Sequence, residues 1–179
     1  MPKMTSEERE ALLTEPGMLC RIATVQPDGA PHVTPIWFIY EDGQVFVTPR
    51  AESTWLANIR REPRIAITID ENPHPYRKIT IQGTGVIVHD LGEDAAWREQ
   101  YRRIAERYTS PGGAAAYIER TIDQPRALIS VSLKDSVVRT WRMPLVSEPG
   151  TGIWHDRYYR PGSLMAQEAE KVRRAPSAP

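Results

Sequence analysis

Residues 19–49 carry two Asp-Gly pairs, Asp28-Gly29 and Asp42-Gly43, each set between β-branched or aromatic runs. Asp-Gly favours the positive φ angles of a tight hairpin turn. No other feature narrows the fold as much. "LCRIATV", "PHVTPIWFIY" and "QVFVTP" are predicted to run as three successive antiparallel strands.

The rest of the chain is read against that meander. Thr5 and Glu8 form a capping-box pattern ahead of a short N-terminal helix. Residues 53–61 are predicted as a second short helix: Trp55 and Ile59 share a face, and Pro63 ends it. "RIAITID" alternates, with Ile65, Ile67 and Ile69 opposite Ala66 and Thr68. "RKITIQGTGVIVHD" reads as one long strand, interrupted by Gly83 and Gly85 on its apolar face. Such glycines mark a bulge, a barrel corner or a close approach.

Residues 93–109 are predicted as a helix with the stripe Trp97, Tyr101, Ile104 and Tyr108, which reads as core rather than as a cofactor box. A short helix over 114–122 follows, and "RALISVSLKDSVVRTW" is predicted as a last long strand. After Pro144 the chain reads as turns, with "VRRAPSAP" as a frayed tail. The expectation is one domain over residues 1–145, with a helical insertion near 93–122, and a partly irregular C-terminal extension over 146–179. Short links between strands make the sheet mostly antiparallel, and such a sheet closes into a barrel to remove its edges.

Charge and motifs exclude several classes. The chain has 23 basic and 23 acidic residues, so no net field draws it to nucleic acid or to a membrane. No apolar run approaches the ~20 residues that cross a bilayer. "MPKMTSEEREALLTEPG" lacks the apolar region of a signal peptide. The expectation is a cytoplasmic protein with no nucleic-acid or membrane partner. Cys20 is the one cysteine and reads as a core thiol. His32, His74, His89 and His155 show no metal-ligand spacing. "GTG" does not open a helix, which excludes a dinucleotide-binding crossover.

"TPRAESTWLANIRREPRIAITID" carries the first candidate site. Arg50, Ser53 and Thr54 stand where a helix begins. The first N–H groups of a helix lack internal partners and bear partial positive charge. A phosphate there gains backbone donors, hydroxyls and a charged fork from Arg50. The same residues also suit an ordinary capped turn, with Ser53 as N-cap and Arg50 in solvent. Lys78, Thr80 and Gln82 share a strand face that is either solvated or the lining of a groove. Val137, Arg139 and Trp141 share another.

"VFVTPRAESTWLANIRREPRIAITID" resembles the pattern of the flavin-binding split β-barrel superfamily, which includes pyridoxamine 5′-phosphate oxidase and its deazaflavin-using relatives. "GMLCRIATVQPDGAPHVTPIWFIYEDGQVFVTP" resembles that superfamily's opening meander, and "RKITIQGTGVIVHD" its fifth strand. The likeness covers residues 7–141. It implies a mainly β fold with added helices, a mostly antiparallel split β-barrel, and a homodimer with FMN in the seam between subunits. The cofactor's phosphate would sit at Arg50, Ser53, Thr54 and Trp55. The backbone of "VTPIW", including Thr34, Pro35, Ile36 and Trp37, would face the ring. Lys78 and Gln82 would line the groove, and Trp141, then Arg139, would reach the partner's flavin.

One departure stands out. Family members often carry a basic residue three before the Asn at 58; here that residue is Trp55. The charge then falls to Arg50, or to Arg60 and Arg61, and Trp55 packs on the cofactor or the core. The implied activity is an FMN-dependent two-electron oxidoreductase acting on a small organic substrate. The alternatives are a reductase using the deazaflavin coenzyme F-420, seated in a basic groove of Arg50, Arg60, Arg61, Arg77 and Lys78, and a non-catalytic carrier of flavin or haem. Oxidation of pyridoxamine phosphate itself ranks lower, because the basic C-terminal substrate motif is not evident.

Overall fold

A computed structural model describes residues 2–110, 112–146, 148 and 158–174. The chain begins with helix α1 (Ser6–Thr14), closed by the expected capping box: the Glu8 N–H donates to Thr5 Oγ1 (3.2 Å) and the Thr5 N–H to Glu8 Oε2 (2.8 Å). Strands β1 (Cys20–Val25), β2 (Pro31–Ile36), β3 (Phe38–Glu41) and β4 (Gln44–Val47) follow. The β3–β4 turn has φ of 50° at Asp42 and 74° at Gly43, the pair of positive angles that the sequence foreshadowed. Helix α2 (Thr54–Arg61), strands β5 (Arg64–Asp70), β6 (Lys78–Thr84) and β7 (Val86–His89), and helices α3 (Arg98–Glu106) and α4 (Gly113–Arg120) come next. Strands β8 (Leu128–Ser132) and β9 (Val137–Trp141) and helix α5 (Leu164–Arg174) complete the elements.

The strands form two antiparallel sheets, in the orders β2-β1-β5-β6-β9 and β3-β4-β8-β7. Three expected strands are each cut in two, and each half joins a different sheet. "PHVTPIWFIY" crosses at Trp37, "RKITIQGTGVIVHD" at Gly85, and "RALISVSLKDSVVRTW" over 133–136. The barrel expected from the sequence does not close into one hydrogen-bonded ring among the described residues: β2 and β9 bound one sheet, β3 and β7 the other.

Gly85 is a corner with a close approach. Its N–H donates to Pro63 O (2.9 Å), and a Cβ there would lie 3.3 Å from Ile129 Cγ2 and 3.4 Å from Ile59 Cγ2. The other two corrections concern helices. Residues 93–97 lie outside α3, which begins at Arg98. The region after Pro144, expected as turns, contains α5, and the expected tail at 172–179 begins inside that helix.

The main core fills the space between the sheets, where Ile22, Phe38, Val45, Ile67, Ile79, Ile81 and Ile129 are all buried, with α2 contributing Trp55, Leu56 and Ile59. A second core lies on the other face of the second sheet, where Ile39, Phe46 and Leu128 meet Trp97, Tyr101, Ile104 and Ile118. Alternate residues of β4 therefore enter different cores, which is why the strand reads as a continuous apolar run. Arg103 clamps α3 to β3 through a two-pronged pair with Glu41 (2.8 and 2.9 Å). Arg107 donates to the Leu13, Thr14 and Glu15 carbonyls at the end of α1.

Candidate functional site

The predicted site residues fall into three groups. The first gathers where the chain passes from β2 to β3. Just after β4, the Ala127 N–H donates to Pro49 O (3.1 Å) and the Ala51 N–H to Pro125 O (3.1 Å). This short antiparallel bridge sets Arg50 directly opposite Arg126. Ile36, Trp37 and Arg50, all singled out in the sequence, line one pocket of about 170 Å³. Its remaining walls are Thr48, Tyr101, Tyr117 and Arg126. Trp37 meets Tyr117 at a centroid separation of 5.2 Å.

Arg126 is 6% exposed. It donates to Tyr117 Oη (3.0 Å) and to the Thr48 carbonyl (3.4 Å), and its guanidinium sits 4.8 Å from the Tyr101 ring centroid. Burial raises the Tyr117 hydroxyl, but its Tyr101 neighbour and the charges of Arg126 and Arg50 outweigh that, so it lies below the ordinary phenol value. Burial, with Tyr117 beside it, pushes Tyr101 the other way, upward. Sequence reasoning missed these four walls. Tyr101 is the core residue that its stripe predicts and also reaches this pocket; no local signal marks Thr48, Tyr117 or Arg126, which tertiary packing alone brings to Arg50.

The second group is the start of α2. Ser53 is the N-cap residue, yet its hydroxyl makes no capping hydrogen bond. Thr54 is exposed. Trp55 is 7% exposed and belongs to the main core, so of its two expected packings the structure shows the core one. The other arginines are engaged elsewhere. Arg60 pairs with Asp90, Arg61 donates to the Val25 carbonyl, and Arg77 is held by Glu71 and Glu15 (2.7 Å each). The expected basic groove is therefore reduced to Arg50 and Lys78.

The third group lies on the outer face of the first sheet. Directly paired residues of antiparallel strands share a face. Pro35, Arg21, Thr68, Thr80 and Arg139 form one such row, and Val33, Ala23, Ala66, Gln82 and Val137 the next. Arg139 Nη1 donates to Gln82 Oε1 (3.1 Å), and Lys78 Nζ stands 4.5 Å over the Trp141 ring. Val33 and Val137 are 61% and 52% exposed, and a shallow hollow of about 490 Å³ runs past Ala23, Pro31, Ala66 and Gln82. β2 is an edge strand, and its Pro35 costs no ladder bond on the open side. Thr34 faces the opposite side from Pro35, paired with the buried Ile22. β2 and β9 lie four strand spacings apart, about 19 Å. One chain therefore does not bring Pro35 and Trp141 together. His155 and its neighbours in "GIWHDRYYRPG" lie outside the described residues, except for residues 158–162.

Two antiparallel sheets exchanging strands at glycine and aromatic corners, with a hydroxyl-bearing helix start after the fourth strand, define the fold class of pyridoxamine 5′-phosphate oxidase-like proteins. The chain belongs to the pyridoxamine 5′-phosphate oxidase family, whose sequence model matches residues 5–136. It is similar in structure to the conserved hypothetical protein Rv2991 of Mycobacterium tuberculosis (23% identity, TM-score 0.63, covering 83% of this chain and 95% of that one). It is also similar to an F420 reductase (24%, 0.50, 73% and 92%) and to a FAD-binding protein of Mesorhizobium loti (15%, 0.55, 78% and 95%). No curated protein matches the chain. Among the described residues no helix is long and apolar enough to cross a membrane.

Proposed function

We propose that this protein is an FMN-dependent oxidoreductase of small organic substrates, with the cofactor held in the seam of a homodimer. The observation that carries the reading is the exposed outer face of the first sheet. Pro35 lies at one edge of it, and Lys78, Gln82, Arg139 and Trp141 lie toward the other. A second copy laid across that face covers Val33, Val137 and the shallow hollow, and sets the β9 edge of one subunit against the β2 edge of its partner. That arrangement joins the residues that a single chain keeps apart.

The residues present suit a flavin phosphate. The Ser53 hydroxyl is free of the capping role that would otherwise occupy it, and Thr54 and the first N–H groups of α2 stand beside it. Arg50 supplies the charge that Trp55 does not. The flavin, when bound, supplies the two-electron chemistry. The chain seats and orients it and, through Lys78, favours negative charge at the ring.

The test is to denature the purified protein and identify the released molecule by mass, with the oligomeric state measured by light scattering. FMN from a dimer is expected, together with bleaching by reduced nicotinamide under anaerobic conditions. Release of coenzyme F-420 or haem instead would replace the cofactor assignment. A monomer with no affinity for any flavin would end it.

A further inference from the structure

We propose that Arg142 is a positioning residue for Trp141: it holds the end of β9 by tying the start of α1 and the turn at residues 145–148 to it. That Trp141 meets a cofactor rests on the oxidoreductase reading above; its placement by Arg142 does not.

Trp141 needs such a hold. Among the described residues β9 is an edge strand of the first sheet. Trp141 is its last residue, and the pairing with β6 ends at Trp141 and Lys78. The ends of edge strands are where a sheet opens most easily. The Lys78–Trp141 stack sits on that last pair, and one cation–π contact at a half-open site is too weak to hold a strand end alone.

The hold comes from the next residue. Alternation sends Arg142 to the opposite side of the strand, where it is 6% exposed. Its Nε donates to Glu8 Oε1 (2.7 Å), and its Nη1 and Nη2 donate to the two Glu148 oxygens (2.7 Å each). Glu8 spends its other oxygen on the capping box of α1, and Glu148 Oε2 also accepts the Leu145 N–H (2.9 Å). The backbone adds two ties beyond the ladder: the Arg142 N–H donates to Pro2 O (3.2 Å) and the Met143 N–H to Pro75 O (2.7 Å). One guanidinium therefore joins segments from opposite ends of the sequence at the residue beside Trp141.

Desolvation offsets most of the attraction in such a buried cluster, so it adds little net stability over apolar side chains of the same shape. What it adds is direction. Forked, charge-assisted bonds fix the plane of the guanidinium, and with it the backbone next to Trp141. Arg142, with the Leu145 N–H, holds the Glu148 carboxyl down at about 2, so the fork stays charged at neutral pH.

Two measurements on the full-length protein test this. FMN affinity is followed by equilibrium dialysis through the double-mutant cycle of Arg142→Gln and Trp141→Phe. Trp141 emission, taken as the difference between proteins with and without that residue, is quenched with acrylamide. Arg142→Gln is expected to raise the Trp141 quenching constant about twofold or more and to weaken FMN roughly fivefold or more, but to weaken it by less than about twofold once Trp141 is Phe. Glu148→Gln, at a more open position, is expected to act in the same direction with a nearly unchanged melting curve, and it decides the matter if Arg142→Gln does not fold. Equal FMN losses in both backgrounds would make Arg142 a fastener of the chain ends and overturn the proposal. Unchanged Trp141 quenching in the folded variants would overturn it as well. Quenching needs no flavin: a protein that retains no FMN, or whose FMN affinity ignores Trp141→Phe, removes the reading of Trp141 as a cofactor contact, and the quenching result alone then sustains or overturns its placement by Arg142.

Discussion

The Trp37 indole lies flat against the Tyr108 ring, with centroids 4.9 Å apart and planes 3° from parallel. Trp37 is the residue at which the chain leaves one sheet for the other, and Tyr108 pins that crossing. Its hydroxyl accepts from the Phe38 N–H (3.0 Å) and donates to the Met18 carbonyl (2.6 Å). Tyr108→Phe keeps the stack and removes both bonds, leaving a backbone N–H in a fully buried residue without that partner. The expected cost is about 1–3 kcal/mol. Urea denaturation measures it, and a change under about 0.5 kcal/mol, the scale of an ordinary surface substitution, would mean that the crossing is held by packing alone.

Gly83 is required by a side chain from another strand connection. A Cβ at this position would overlap Ser136 Oγ and lie 3.0 Å from Ser136 Cβ. Ser136 is not free to swing aside, because its hydroxyl donates to the Ser132 carbonyl (2.6 Å). Gly83→Ala is expected to destabilise the protein by about 1–3 kcal/mol, the range for overpacking. The double variant Gly83→Ala/Ser136→Gly is expected to recover more than half of that loss. Thermal melting of the three proteins checks the coupling, and strictly additive effects would place the cost in the backbone of β6 instead.

The sheet crossings mark the limit of what the sequence could tell. Period-two alternation reports which face a residue takes, not which sheet it joins. Ile129 and Val131 continue into Leu133 without a break in the pattern, so the turn over 133–136 was hidden within one apparent strand. The Asp-Gly turns were legible because a positive φ is a local demand, met by Gly29 in the first turn and by both Asp42 and Gly43 in the second. Ile36, Trp37 and Arg50 drew attention in the sequence because they sit at local irregularities, a strand end and a helix start, and the fold brings the three to one pocket. The relation of Arg126, Tyr101 and Tyr117 to Arg50 was not legible, because it exists only after β4 pairs with the segment before β8 and the helices cover the second sheet. Trp55 showed the reverse. Its helical spacing from Ile59 correctly placed it on a packed face, and that face is the main core.

The Glu71–Arg77 pair should give a signature in acid. The Glu71 carboxylate is 8% exposed, and the Arg77 guanidinium beside it holds its titration below the usual carboxylate range, against the opposing effect of burial. A depressed folded-state value contributes stability that is fully present above the unfolded value of about 4.3 and is lost as pH falls through the folded one. Glu71→Gln is therefore expected to cost about 1–2 kcal/mol at pH 7, allowing for solvent at the outer edge of Arg77. The gap to the unaltered protein should narrow below about pH 4 and close near the folded-state value. Unfolding free energies at pH 7, 4 and 3 give the test, and a gap independent of pH would trace the cost to shape rather than charge.

Ser53 separates the two readings of the start of α2 with one substitution. If the residue is an ordinary cap, Ser53→Ala costs stability, typically about 1 kcal/mol. The structure gives it no such bond: the Leu56 and Ala57 N–H groups donate to the Ser53 backbone carbonyl, and the hydroxyl is unused. Ser53→Ala is therefore expected to change stability by under about 0.5 kcal/mol, as at an ordinary surface position. Bound at a phosphate seat, the same hydroxyl contributes a charge-assisted hydrogen bond worth about 1.5–3 kcal/mol, so its loss should weaken FMN roughly ten- to a hundredfold. Thr54→Ala tests the neighbouring hydroxyl in the same way, while Thr54 carries no role in the core. Equilibrium dialysis against FMN and a denaturation curve on each variant read the two quantities separately. Loss of stability with FMN affinity intact would return Ser53 to a cap and move the phosphate elsewhere; loss of affinity with stability intact is what a cofactor seat requires.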